Sequence, residues 1–359
     1  MKRSTLQSLY RKEAGSLLAA VVLTATAAVA SEPERNDLVL TSTNDPAANA
    51  VVVFHLGAGT TPELSYVATV PTGGKGGAGN NAGILRFDRD SGGAVANFGS
   101  NSVTVLGRDG DTIRVRHTLP LASGCLKPDS VALSHDRLFV VGANCAESHA
   151  WPSGALSGTP VHLTDPSAAQ IAVGETWSAV TMTSGSVLRL PLLVDGSLSG
   201  AAIPLALPAD ANNTPLGEAF WGNVLGFTPA HSPDSFAIVN PKGTVFPVPG
   251  PTPPYPANAP CWVAKGGGNV WYTANSPGHA ISIFFSDDAG GVFYKSVALP
   301  GAPTDITVSH DAHRLAVIYA AGDGAHVAVF SIDAHGALTP LATSAPIGVA
   351  TFNGVAISD

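Results

Sequence analysis

Residues 261–285 read CWVAKGGGNVWYTANSPGHAISIFF, and this segment shows the repeating unit of the chain most clearly. It predicts one short strand, a turn at three glycines, a second strand that ends at Asn275, and a third strand whose side chains alternate between two faces. Small, turn-forming residues separate the second strand from the third. Short strands joined by tight turns indicate an all-β fold.

Copies of the third strand recur roughly every 45 to 50 residues, which is the spacing of a four-stranded propeller blade. They are found at Ala50–Phe54, Asn101–Leu106, near Trp151, Ser186–Leu190, Thr244–Val248, Ala280–Phe284 and Ala325–Phe330. The hairpins predicted for Asp129–Asn144 and Asp305–Tyr319 align almost residue by residue. Seven units predict a seven-bladed β-propeller, in which blades pack against one another and few strand edges stay free.

The two ends of the chain supply complementary parts of one unit. Asn353–Asp359 resembles the first strand of the unit, whereas Asp37–Asn44 resembles the second strand and has no first strand before it. We therefore expect the C-terminal strand to pair with the N-terminal strands and close the ring through a shared blade. A parallel β-helix would also repeat, but with shorter coils and without a unit divided between the termini.

The first 30 residues have the pattern of a signal peptide. Four basic residues (Lys2, Arg3, Arg11 and Lys12) precede an apolar run, Leu17–Val29, and the small residues Ala28–Ala30 suit a cleavage site. The alternative is a retained anchor, but the run is shorter than the ~20 residues that cross a bilayer. We therefore expect an exported protein, periplasmic or secreted, with the propeller in residues 31–359.

The charge of the chain argues against some partners. The formal net charge is −8, and removal of residues 1–30, which hold four cations and one anion, would make it −11. No stripe of Lys and Arg runs along the sequence, so nucleic acids and anionic membrane surfaces are poor partners. We expect no transmembrane segment in the mature chain, and a monomer.

The three cysteines divide into a pair and a single thiol. If residues 129–144 form a hairpin that turns near residues 135–137, residues whose numbers sum to about 270 face each other, as Cys125 and Cys145 do. An exported protein is expected to join such a pair as a disulfide. Cys261 then stays free, as a small buried apolar side chain or, if a base lay nearby, as a reactive thiol.

Two kinds of motif invite a catalytic interpretation that their spacing does not support. Ser134-His135-Asp136 and Ser309-His310-Asp311 contain the residues of a catalytic triad, but three consecutive residues on a turn cannot converge as a triad must. Gly73–Gly79 resembles a phosphate-binding loop but lacks its Lys-Ser/Thr ending, and no helix follows. We interpret all three segments as turns and connections.

Four motifs carry a resemblance to a known family: PCWV (260–263), WYTAN (271–275), ANFGSNSVTV (96–105) and TVSHD (307–311). They resemble the seven-bladed propellers of the lactonase-like group, which includes 6-phosphogluconolactonase-type enzymes, carboxymuconate cyclases and YVTN-repeat surface proteins. The resemblance implies the propeller fold. Enzymes of the group are expected to carry a Pro-His pair and a Pro-Arg-His run, and neither occurs in this sequence.

The candidate site lies where the first strands of the blades begin, on what we call the upper face. Candidate ligand-binding residues there are Asn81, Lys127, Asp129, Trp221, Cys261 and Asn353, ringed by His149, His279 and His326. Glu218 and Asp305 are the candidate catalytic carboxyls. Glu218 falls in a long connection, residues 208–226, where Phe220 and Trp221 could form an apolar wall that raises its pKa. The alternative is a surface loop with a buried aromatic anchor.

Three functions fit this pattern. The first is a binding module that holds a small molecule, protein or glycan at one face of the central channel, and the missing enzyme motifs favour it. The second is a lactonase-like hydrolase or cycloisomerase that acts on a lactone or on a sugar or aromatic acid. The third is a redox or metal role for the His-rich loops, although a loop-closing role for those histidines is the simpler interpretation. We expect no cofactor and no metal ion.

Overall fold

A computed structural model describes residues 37–359 apart from residues 60, 80–81, 89–91, 135, 233–235, 255, 288 and 349–350. These residues form seven sheets, each of four antiparallel strands. The predicted all-β, seven-bladed propeller is confirmed.

The blades are numbered along the chain, and the labels β1 to β28 follow chain order. Blade 1 contains β1 (Asp37–Ser42), β2 (Ala50–Leu56), β3 (Leu64–Pro71) and β28 (Asn353–Ser358). Blade 2 contains β4 (Leu85–Asp88), β5 (Gly92–Asn97), β6 (Ser102–Asp109) and β7 (Thr112–Pro120). Blade 3 contains β8 (Pro128–Ser134), β9 (Arg137–Gly142), β10 (Cys145–Ala150) and β11 (Leu156–His162).

Blade 4 contains β12 (Ala168–Val173), β13 (Trp177–Met182), β14 (Ser186–Pro191) and β15 (Ile203–Pro204). Blade 5 contains β16 (Pro215–Trp221), β17 (Val224–Pro229), β18 (Phe236–Val239) and β19 (Val245–Val248). Blade 6 contains β20 (Pro260–Lys265), β21 (Val270–Asn275), β22 (Ala280–Asp287) and β23 (Gly290–Ala298). Blade 7 contains β24 (Ala302–Val308), β25 (Arg314–Ala321), β26 (Gly324–Ile332) and β27 (Leu338–Thr343).

The first strands of the blades form a closed ring. Contacts run from β28 to β4, β8, β12, β16, β20 and β24 in turn, and from β24 back to β28. In blade 1, β28 pairs with β1, with Leu38 opposite Ser358 and Val39 opposite Ile357. The sheet is therefore shared between the two ends of the chain, as the sequence predicts.

Seven buried apolar clusters hold the ring together, one between each pair of neighbouring blades. Alternation along each strand produces this arrangement, because successive side chains point to opposite faces of a sheet. In β1, Leu38 and Leu40 pack towards blade 2, whereas Val39 packs towards blade 7. The continuous apolar runs of the sequence thus reflect strands that are buried on both faces.

One third strand lies away from its predicted position. In blade 3 the strand is Cys145–Ala150, which ends directly before Trp151 as predicted, and its buried polar residues Glu147, Ser148 and His149 weaken the apolar pattern. In blade 5 it is Phe236–Val239, whereas the predicted segment at Thr244–Val248 contains the outer strand β19.

Candidate functional site

The central channel carries a cavity at each end. The upper cavity, about 610 Å³, lies where the first strands begin, and the lower cavity, about 230 Å³, lies towards the ends of the same strands. The upper cavity is lined mainly by residues of blades 3 to 6 and of their upper loops: Lys127, Asp129, Ser167, Thr183, Thr214, Leu216, His231, Cys261, Trp262 and Pro277, with Phe98 from blade 2.

Asp129 is a buried carboxyl in the wall of the upper cavity. It is only 8% exposed, and burial raises the pKa of its carboxyl to about 7 although the Lys127 ammonium lowers it. Its position follows from an irregularity of the strand, since the register of β8 against β9 shifts between Pro128 and Ser130. Such a bulge re-aims the side chain of the extra residue. At neutral pH this carboxyl can therefore both donate and accept a proton.

Lys127 adds a cation beside this carboxyl. Its backbone has a positive φ of 54°, and its N–H donates to Asn101 Oδ1 at 2.8 Å. The ammonium lies 5.6 Å from the centroid of the Phe98 ring, within cation–π range. The upper cavity thus combines a cation, a titrating carboxyl and an aromatic wall.

A disulfide fixes the loop that carries these residues. Cys125 and Cys145 are bonded, with their Cα atoms 5.6 Å apart, and Cys261 is free, as the hairpin register predicts. Asn144 reinforces the link, because its Oδ1 accepts from Leu126 N at 2.9 Å and its Nδ2 donates to Gly124 O at 2.6 Å. Lys127 and Asp129 follow this anchored segment directly.

The opposite wall of the upper cavity holds a thiol and a histidine. Cys261 lies at the bulge of β20, between Pro260 and Trp262, and burial raises the pKa of its thiol to about 12. The thiol therefore acts as a neutral wall group rather than as a nucleophile. His231 Nδ1 lies 3.0 Å from Thr214 Oγ1, so a second polar pair faces the cavity.

Glu218 lines the lower cavity rather than the upper one. It lies within β16 instead of a long connection, and its side chain is 1% exposed. Burial raises the pKa of the Glu218 carboxyl well above its ordinary value, although the backbone N–H groups of Ala172 and Thr181 oppose this. Neither carboxyl oxygen has a hydrogen-bond partner of normal geometry among the described residues.

Asp305 lies within β24 and lines neither cavity. Its Oδ2 accepts from Gly83 N at 3.4 Å and Val355 N at 3.3 Å, and its Oδ1 accepts from Ile306 N at 2.8 Å. Arg86 Nη1 lies 3.8 Å from Oδ2 and lowers the pKa of Asp305, but burial is the larger effect and raises it. Asp305 therefore ties blades 7, 1 and 2 together.

The remaining candidate residues do not gather in one place. Trp221 is 42% exposed at the end of β16, with the Lys265 ammonium 5.3 Å from its ring centroid. Asn353 begins β28, and its Oδ1 accepts from Gly354 N at 2.8 Å. Asn81 lies outside the described residues.

The three candidate histidines lie in the third strands or beside them, and none lines the upper cavity. His149 lies within β10 near its lower end, where its Nε2 is 3.2 Å from Glu147 Oε1. His326 Nδ1 is 3.1 Å from Ser344 O, and its ring stacks on Tyr319. His279 directly precedes β22. Among the described residues, no group of three or more His, Cys, Asp or Glu side chains could hold a metal ion.

Several cavity residues were missed by the sequence analysis. His231 and Thr214 line the upper cavity, and Arg86, Gln170 and Lys265 line the lower one. Alignment of the first strands could have found Gln170, because it follows the register shift of β12 as the candidate residue Glu218 follows that of β16. Loop residues such as His231 carry no such repeating signal.

Solved structures share the fold at low sequence identity. A protein from Lactobacillus plantarum is 14% identical with a TM-score of 0.67, covering 90% of this chain and 98% of its own. A streptogramin B lyase is 16% identical with a TM-score of 0.57, covering 76% of this chain and 84% of its own. An inactive virginiamycin B lyase from Staphylococcus aureus, solved with quinupristin, is 11% identical with a TM-score of 0.54, covering 80% of this chain and 93% of its own.

No family model and no curated protein matches the sequence. The structural similarities, all at low identity, define the class of protein, a seven-bladed β-propeller, and do not specify an activity. Within the described residues, no helix is long and apolar enough to cross a membrane.

Proposed function

We propose that the protein is an exported ligand-binding propeller that holds a small, oxygen-rich organic acid or its lactone in the upper cavity. One observation carries the proposal: a buried carboxyl, Asp129, with a pKa of about 7, lies beside Lys127 in a cavity that opens to solvent. A carboxyl in this state can donate to a carbonyl oxygen or accept from a hydroxyl. Perturbed groups of this kind cluster at functional sites.

The walls of the cavity suit a small molecule. Phe98, Leu216, Trp262 and Pro277 supply apolar surface around the polar groups. Ligand sites typically combine such surface with a few polar groups in about 300–1,000 Å³, and the upper cavity, at about 610 Å³, falls in this range. A folded protein partner or a glycan chain would instead need a broad contact surface.

Export is part of the proposal and has two supports. The basic and apolar pattern of residues 1–30 suits a signal peptide, and the Cys125–Cys145 disulfide suits an oxidising compartment.

The same carboxyl favours a second function, hydrolysis of a lactone. A group with a pKa near 7 is poised to act as a general base towards water. The Pro-His and Pro-Arg-His motifs expected of the lactonase-like enzymes are missing, so binding remains the first proposal. Product formation from a bound lactone distinguishes the two functions, and it should be lost in Asp129→Asn if Asp129 is the base.

The test starts with a thermal-shift screen of the mature protein against sugar acids, aromatic acids and their lactones. A ligand that binds only the folded state raises the melting temperature by mass action. Calorimetry then measures Kd for each hit with the wild type, Asp129→Asn, Lys127→Met and the control Asp210→Asn, which changes an exposed carboxyl outside the cavity.

We expect Asp129→Asn and Lys127→Met each to weaken binding about tenfold or more, as the loss of one buried charged or hydrogen-bonding contact does. Asp210→Asn should bind as the wild type does. Equal affinities in all four proteins would place the ligand elsewhere and overturn the proposal.

A further inference from the structure

The position of Glu218 is strongly constrained, although its carboxyl makes no hydrogen bond of normal geometry to a described residue. Gln170 Nε2 donates to the backbone oxygen of Glu218 at 2.8 Å, and Gln170 Oε1 accepts from the backbone N–H of Glu218 at 2.8 Å. These two hydrogen bonds hold the Gln170 amide against the backbone of Glu218, and no hydrogen bond of normal geometry joins it to the Glu218 carboxyl. Both carboxyl oxygens are buried without a partner of normal geometry among the described residues. A buried polar group without a partner destabilises the folded protein, so a ligand that pairs with this carboxyl would be a physical reason for its presence.

Arg86 offers unused donors to the same cavity. Its Nη1 donates to Leu85 O at 3.2 Å and lies 3.8 Å from Asp305 Oδ2. No described residue accepts a hydrogen bond from its Nε or Nη2. The side chain is 22% exposed and lines the lower cavity together with Glu218. A guanidinium with free N–H groups recognises a planar oxyanion well.

We propose that the lower cavity is a second binding site, which takes a small carboxylate between the guanidinium of Arg86 and the carboxyl of Glu218. The side chains of Ile171, Phe220, Val263 and Ile306 add apolar surface to the walls of this cavity. The volume of about 230 Å³ limits the ligand to a short carboxylate.

The choice of a carboxylate follows from the charges of the walls. Burial raises the pKa of the Glu218 carboxyl and so favours its neutral form, which presents one O–H donor, and Arg86 presents a positive charge. A carboxylate accepts from both groups. A cationic ligand would be repelled by Arg86, and Lys265 lies on the same wall. This site is separate from the upper cavity, because the two cavities have no lining residue in common.

Propionate is the test ligand and propionamide its neutral control, since the two differ little in size but only the acid is an anion. We expect propionate to raise the melting temperature of the mature protein and propionamide to leave it unchanged. Glu218→Leu and Arg86→Met should each weaken propionate binding at least tenfold. Glu218→Gln keeps an N–H donor and should lose no more than about threefold.

The pH dependence gives a readout that a structural role would not change. In the wild type, propionate affinity should fall as rising pH ionises Glu218, and in Glu218→Gln it should lose that dependence. Asp210→Asn, which changes an exposed carboxyl outside both cavities, should bind propionate as the wild type does.

A direct readout covers the case in which Arg86→Met does not fold. Nuclear Overhauser effects should connect bound propionate to the methyl groups of Ile171 and Ile306. Equal stabilisation by propionamide, unchanged affinity in Glu218→Leu, or loss of binding only in Asp129→Asn would overturn the proposal. A direct Arg86–Glu218 ion pair, seen as a Glu218 carboxyl ionised at pH 6, would overturn it as well.

Discussion

The two ends of the channel each hold one buried carboxyl, and the two groups differ in their neighbours. Burial raises the pKa of both, but Lys127 lies close enough to Asp129 to lower its pKa, whereas no cation does so at Glu218. The pKa of the upper carboxyl lies near 7, and burial, which is deeper at Glu218, raises the pKa of the lower carboxyl well above its ordinary value. Burial and a neighbouring cation together thus set the two carboxyls apart.

The difference has an origin in the repeat. Asp129 occupies the bulge at the start of its strand, where the connecting loop supplies neighbours such as Lys127. Glu218 follows the corresponding register shift and is surrounded by residues of neighbouring first strands. The chemistry of the upper cavity can thus vary with the loops, whereas that of the lower cavity depends on the strands themselves.

Removal of residues 353–359 should have the largest effect, because it opens the ring of first strands that surrounds both cavities. β28 is the first strand of blade 1 and contacts the first strands of blades 2 and 7. Its loss exposes apolar residues of β1 and leaves the β1 ladder unpaired. We expect loss of cooperative unfolding, a change comparable to the net stability of a domain, about 5–15 kcal/mol. Circular dichroism melts test this, and a wild-type melt in the truncated protein would contradict the shared blade.

Asp305→Ala should come next, because it removes the carboxyl that ties blades 7, 1 and 2 together. Three backbone N–H groups would lose their acceptor, and Arg86 would lose its nearest carboxylate. Breaking a buried charged network of this kind costs about 3–5 kcal/mol. Urea unfolding measures the loss. A change below 1 kcal/mol would show that the carboxyl is dispensable to the ring.

Asp129→Asn should stabilise the upper end at alkaline pH. The carboxyl has a pKa of about 7 in the folded state against an ordinary value of 3.8, so its contribution to the free energy of unfolding is full below pH 3.8 and is lost as pH rises through 7. The shift corresponds to an upper limit of about 4 kcal/mol at pH 8. Asn carries no such charge and should abolish this loss. Melts from pH 4 to pH 8 with Asp210→Asn as control test it, and parallel profiles would contradict it.

Replacement of Cys125 and Cys145 by Ala should destabilise the upper end of the channel locally and leave the lower end unchanged. The disulfide closes a 20-residue separation, which in the chain-entropy model stabilises the fold by about 3 kcal/mol. Hydrogen exchange should accelerate most at residues 124–130, which carry Lys127 and Asp129, and little in β16. Equal acceleration at both ends would show that the bond supports the whole ring rather than one loop.

The fold was predictable because its signals repeat. Seven third-strand copies and the divided unit at the termini were enough to predict the ring, and hairpin register was enough to pair Cys125 with Cys145. The pattern failed where strands carry polar residues: Glu147 to His149 are buried in β10, and Gly217 and Glu218 interrupt the apolar run of β16. In both places tertiary contacts outweigh local β propensity.

The site was less predictable, because it depends on the level that a residue occupies along the channel. Lys127, Asp129 and Cys261 do share the upper cavity. A shift of a few residues along β16 moves Glu218 to the other end, since each strand residue advances about 3.3 Å. A sequence pattern with uncertain strand boundaries does not fix that level.

Lys265→Met should have the smallest effect on stability. The pH dependence that Lys265 gives to stability is opposite in direction to that of Asp129. Burial lowers the pKa of Lys265 from 10.5 to about 8, so the unfolded chain binds more protons between these values and stability rises with pH across that window. The ammonium is partly solvated and donates to Gly266 O and Gly268 O, both at 2.6 Å, so we reduce the expected gain to about 1 kcal/mol. Met, which does not titrate, should remove the rise.

Melts from pH 7 to pH 10.5 test this prediction, and Lys242→Met, which replaces an exposed lysine, is the control. If Lys265→Met keeps the alkaline rise, another group at the lower end carries it.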